Sequence, residues 1–104
     1  MTRRSDQVAA QIQRYAAQAL AELVLKRDML ITVTRSQVSP DMKQATVWVA
    51  GWDQLTSAEQ QEATRAMGRD IAHHLTSKFT PRLSVRDDDS GKYASHISHI
   101  LQGS

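Results

Sequence analysis

The hydrophobic pattern changes period once within the first half of the chain, and that change constrains the fold more than any other feature. Over residues 6–25, Val8, Ile12, Tyr15, Ala16, Ala19, Leu20, Leu23 and Val24 recur at the spacing of one helix face. Ser5 is placed to cap this helix, and Asp6 lies in its first turn, where the helix dipole favours an anion. From residue 29 the period becomes two. Ile31 and Val33 alternate with Thr32 and Thr34, and β-branched residues dominate through residue 38. Ser39-Pro40-Asp41 is a turn, because proline presets the backbone angle that a turn needs. Residues 44–52 read as a second strand, with Ala45, Val47 and Val49 on one face and Thr46, Trp48 and Ala50 on the other. So short a connection makes the two strands an antiparallel pair.

The second half returns to helical spacing. Thr56-Ser57-Ala58-Glu59 has the form of a capping box, with Ser57 to Gln60 as a second register. A helix follows to about Ala66, and Ile71, Ala72, Leu75 and Phe79 carry the apolar face onward. Gly68 interrupts it at a cost of about 1 kcal/mol relative to alanine. Two helical segments are therefore expected, kinked or broken at Ala66-Met67-Gly68 and stopped by Pro81. Leu83 and Val85 alternate with Ser84 and Arg86 as a short third strand, and Asp87 to Gly91 is a turn. Ala94 to Leu101 reads as a short last helix. The order α-β-β-α-α-β-α defines an α+β domain with a small sheet covered on one face by helices.

Composition narrows the class. A chain of 104 residues with 40% hydrophobic and 23% charged residues is one globular domain, residues 1–104, with an ordered core at about 6–101. The absence of cysteine rules out a disulfide framework, a thiolate metal site and a cysteine nucleophile. No apolar run reaches the roughly 20 residues of a membrane span, so a cytoplasmic protein is expected. The net charge is only +2, but it is segregated. Residues 63–86 carry Arg65, Arg69, Lys78, Arg82 and Arg86 against Asp70 alone, so one face can be positive on a nearly neutral protein.

The element order, with glycine at a helix-helix junction, resembles a type II KH domain, a single-stranded RNA-binding fold whose paired helices are joined by a GXXG loop. Ala66-Met67-Gly68 stands in place of that loop. This Ala-x-Gly junction is similar to one family in particular, ribosome-binding factor A. Ile31 to Arg35 and Val38 to Val49 resemble its first two strands and their Ser-x-Asp turn. Pro81 to Val85 with Asp88-Asp89-Ser90 resembles its Pro-x-Leu strand and Asp-x-Ser turn, and Val8 to Leu20 its first helix. The Lys26-Arg27-Asp28-Met29 connection lacks the Asp-Pro usual in the family, and Arg69-Asp70-Ile71 replaces its apolar-Arg pair. The resemblance implies a non-catalytic assembly factor. Its members bind the precursor 30S subunit, help mature the 5′ end of 16S rRNA, matter in cold adaptation and leave before translation begins.

The candidate RNA-binding residues are Arg65, Gly68 and Arg69, with Arg35, Lys43, Lys78, Arg82 and Arg86 as further members. Arg65 and Arg69 are four apart and share a face if the helix runs through, and guanidinium forks grip phosphate bidentately. An interrupted helix would add free backbone N–H groups. Gly68 also has a purely structural reading, since a kinked helix pair packed tightly on a sheet needs a small residue there. Trp48 can stack on a base or cover a neighbouring helix, and Trp52 is similar. His73-His74, His96 and His99, with Asp87-Asp88-Asp89, lack any recognised metal-ligand spacing, and no Walker loop, nucleophile elbow or dinucleotide fingerprint is present. The expectation is a monomeric RNA-binding protein of the small subunit, with no cofactor, metal, membrane or small-molecule substrate. The alternatives are a general KH-like RNA-binding module, a protein-interaction domain, or a small enzyme.

Overall fold

The computed structural model describes residues 4–25, 29–75 and 80–89. The first helix, α1, spans Arg4–Val24 and buries Val8, Ile12, Ala16, Ala19 and Leu20, a stripe repeating every third or fourth residue. Ser5 lies inside this helix rather than at its cap, whereas Asp6 does occupy the first turn. Strands β1 (Thr32–Val38) and β2 (Gln44–Ala50) pair antiparallel. Their turn is held by side chains. Ser39 Oγ donates to Asp41 Oδ1 at 2.6 Å, and the backbone N–H groups of Lys43 and Gln44 donate to Asp41 Oδ1 and Ser39 Oγ. These bonds hold the Asp41 carboxyl below its ordinary pKa, the Ser39 hydroxyl being the largest cause and the Lys43 backbone N–H the next.

β2 stops at Ala50, two residues earlier than the alternation suggests, because Gly51 turns the chain at φ +81°. The turn leads into a short 3₁₀ segment, Trp52–Gln54, that buries Trp52. Thr56 caps the second helix, α2 (Ser57–His74), in a complete capping box: Glu59 N–H donates to Thr56 Oγ1, and Thr56 N–H to Glu59 Oε1.

The two helical segments expected around residues 66–68 form one α-helix. The reason lies in Met67. Ala63, Met67 and Ile71 make an unbroken i, i+4, i+8 buried stripe, and Met67 is fully buried at its centre. Burying such a side chain contributes about 1.5–3 kcal/mol, more than Gly68 costs as a poor helix former. α2 ends at His74, where Leu75 is extended and its side chain is buried in the core; the apolar position expected at Phe79 lies outside the described residues. The final strand, β3 (Arg82–Asp87), pairs with β2 in parallel, α2 serving as the crossover. The expected C-terminal helix, Ala94 to Leu101, lies outside the described residues.

The sheet order is β1-β2-β3. Ala45, Val47 and Val49 of the central strand face the two helices and are almost fully buried, as the alternation indicates. α1 is fastened to the sheet by Ser36 Oγ, which donates to the Ala9 carbonyl at 2.5 Å. One layer of helices thus covers one face of the sheet. Among the described residues, nothing covers the other.

Candidate nucleic-acid interface

The basic residues singled out from the sequence fall into two groups separated by the sheet layer. The first lies on the solvent face of α2. Glu62, Arg65, Gly68 and Arg69 together line an open depression of about 420 Å³. Arg65 also reaches a larger groove of about 540 Å³ between α2 and β3, with Gln60, Gln61, Thr64 and Val85 along it. Gln60 is fixed there by its Nε2, which donates to the Trp52 carbonyl at 3.0 Å. Asp70 lies 3.6 Å from His74 Nδ1, and neither Arg65 nor Arg69 has a carboxylate partner among the described residues, so both arginines keep their forks for an outside anion.

Two expectations about this face are corrected. Because α2 is continuous, the N–H groups of residues 66–68 belong to the helical ladder and are not free for an anion; any grip comes from side chains. Nor does Gly68 serve tight packing. A Cβ built there meets nothing within 4 Å. The glycine therefore weakens the helix without relieving any contact inside the molecule.

The second group lies on the uncovered face of the sheet. β1 carries a bulge between Val33 and Arg35, and the resulting register sets Arg35 beside Trp48. The Arg35 guanidinium sits 4.2 Å from the centre of the Trp48 ring. Arg86 flanks Trp48 from β3, and Arg82 lies on the same side at the start of that strand, across from Gln44. Lys43 is exposed in the hairpin, where its carbonyl accepts from the Arg82 N–H at 2.8 Å. Trp48 is half-buried, and Trp52 is in the core. Lys78 lies outside the described residues, as do His96 and His99.

The Arg35 to Trp48 contact is the part of this arrangement that pattern reading missed. The signal available was the pairing of a basic residue in one strand with an aromatic in the next, but the bulge that brings them together leaves no mark in the alternation. His73 and His74 are both exposed near the end of α2. His74 stacks on Tyr15 with ring centres 4.8 Å apart, and its Nδ1 is 2.9 Å from the Asp70 carbonyl oxygen. Among the described residues no three His, Cys, Asp or Glu side chains converge on a metal position, and no helix is long and apolar enough to cross a membrane.

A three-stranded mixed sheet with helices on one face defines an α+β domain that resembles the type II KH layout, with one continuous helix in place of the paired helices. The comparison with known proteins narrows it further. The family model of ribosome-binding factor A matches residues 4–101, and the chain belongs to that family. It is 32% identical to ribosome-binding factor A of Citrifermentans bemidjiense over 98% of this chain and 91% of the relative. Against the Lactococcus lactis protein of the same name it is 33% identical over 96% and 90%. The fold matches the solution NMR structure of a Thermotoga maritima protein described there as a putative ribosome binding factor A, with a TM-score of 0.56 at 23% identity, covering 81% of this chain and 86% of that one.

Proposed function

We infer that this protein binds the immature 30S subunit through its 16S rRNA and assists maturation of the 5′ end, acting as a cytoplasmic monomer without catalysis, with its greatest importance in the cold. It holds one arrangement of flexible rRNA in preference to others, so that its differential affinity does the work and no bond is made or broken. Departure before translation follows from the same logic, since a matured subunit would present the less favoured arrangement.

Family membership supports the ribosomal partner. The observation that carries the choice of surface is Gly68. A mid-helix glycine whose Cβ would meet nothing among the described residues is a cost without a packing return there, and it leaves backbone bare beside Arg65 and Arg69. Such a spot lets a sugar-phosphate chain approach the helix closely while the two guanidinium forks take its phosphates.

The test is sedimentation of the tagged protein with ribosomal particles on gradients at low and moderate salt. Enrichment with free or precursor small subunits is expected, weakening steeply as salt rises. Arg65→Glu with Arg69→Glu should abolish it. No association of the folded wild-type chain with small subunits at low salt would sink the reading.

A further inference from the structure

The uncovered sheet face has features that phosphate binding on α2 does not use. The outward positions of the three strands are Thr32, Thr34, Arg35 and Gln37; Gln44, Thr46, Trp48 and Ala50; and Arg82, Ser84 and Arg86. Most of these are small or polar, which makes a low floor. From its middle rises one large aromatic ring, flanked across the strands by Arg35 and Arg86. Asp88, just past the end of β3, accepts a hydrogen bond from the Thr34 hydroxyl. The charged residues at the outward strand positions are Arg35, Arg82 and Arg86, which makes that floor cationic.

A half-exposed tryptophan under an arginine, with a second arginine beside it, suits one kind of occupant. A nucleobase stacks on an indole ring or on a guanidinium plane, and the flanking cations take the phosphates on either side of it. An acidic peptide would satisfy the arginines but leave the ring unused. A double helix keeps its bases stacked inside and cannot offer one. We propose that the uncovered sheet face binds an unpaired stretch of RNA, with a base stacked on the Arg35-Trp48 pair and Arg86 and Arg82 holding its phosphates. This goes beyond the surface on α2. The two surfaces lie on opposite sides of the sheet layer, so the protein would bridge two RNA segments rather than lie on one. The gain from such bridging is one of effective concentration, and it needs no extra contact.

Tryptophan fluorescence reads this site directly, because Trp52 is buried and Trp48 is the ring an outside base can reach. The probe is a single-stranded oligoadenylate of about eight nucleotides, titrated into the full chain at low salt. Saturable quenching is expected. Trp48→Leu should weaken binding of the oligomer by about 5- to 150-fold, the range of one stacking contact. Arg35→Gln with Arg86→Gln should reduce both affinity and quenching while keeping the far-UV circular dichroism of the wild type. A fully paired RNA duplex of equal length should quench little.

Inorganic polyphosphate supplies charge without bases. If it quenches Trp48 as strongly as the oligomer, the site is a polyanion patch and base stacking is overturned. Absence of quenching by the oligomer, in a folded protein, overturns the proposal outright. Arg65→Glu with Arg69→Glu should leave the quenching intact. Quenching retained with no small-subunit association would refute the ribosomal reading alone. Association retained with no quenching would refute the sheet site alone.

Discussion

Gly51 and Gly68 lie close to the two proposed RNA surfaces, and they are there for opposite reasons. Gly51 has φ +81°, and a Cβ there would lie 2.5 Å from the Leu30 carbonyl oxygen and 2.6 Å from Gln54 Nε2. Only glycine fits that backbone and that space, and the result is the turn that lets Trp52 enter the core behind β2. Gly68 is helical, in open space, next to two arginines that have no carboxylate partner among the described residues. The first glycine is explained entirely from within the molecule. Among the described residues the second has no such explanation, and that is why it points outward.

The comparison can be broken at either glycine. Gly51→Ala should cost roughly 2–5 kcal/mol, from an alanine forced into left-handed backbone plus a clash with main chain. In a domain of this size that is a large share of the total stability, and a fall of many degrees in thermal midpoint is expected. A small change would mean the turn has an easy alternative. At the outward site the leading effect is on binding. Arg65→Glu with Arg69→Glu should lower small-subunit association by tenfold or more, about 1.4 kcal/mol, with the melting curve nearly unmoved. Gly68→Ala sharpens the contrast because its two effects have opposite signs. The helix should gain about 0.5–1 kcal/mol, visible as a higher midpoint, while association weakens because a methyl group now stands where RNA approaches. Stabilisation with unchanged association would remove the case for close approach at this position.

The smallest effect concerns the β1-β2 turn. The folded Asp41 carboxyl lies below its ordinary value of 3.8, so its contribution to stability is present above that value and is lost as pH falls through the lowered one. Asp41→Asn should therefore lower stability slightly at neutral pH and flatten the acid limb below about pH 4, so that the two chains converge in acid. A chemical denaturation series over pH 2–6 on both chains checks this.

Much of the scaffold was legible because it rests on local signals. The stripe from Val8 to Leu20, the alternation of Ala45, Val47 and Val49, the capping box at Thr56 and Glu59 and the Ser39-Pro40-Asp41 turn each state a periodicity or hydrogen bond that neighbouring residues satisfy among themselves. The continuity of α2 was misread for the same reason. Local propensity put a break at Gly68, but the burial of Met67 against the core outweighs it, and burial depends on what packs above the helix. Of the candidate site, the identity of the basic residues could be read, but not their grouping.

The side on which Arg35 emerges shows the limit most clearly. Plain alternation from Val33 would send Thr34 outward and Arg35 toward the helices. The bulge at Thr34 inserts one residue, reverses the phase, and brings Arg35 out over Trp48 while Ser36 turns in to bond with α1. The sequence by itself determined α1 and its buried stripe, the β1-β2 hairpin, the buried face of β2, the start of α2 and the strand β3, because those follow from periods of two and 3.6 along a single strand or helix. Only the tertiary structure decided which charges meet which ring, because pairing across strands depends on a register that no one segment contains.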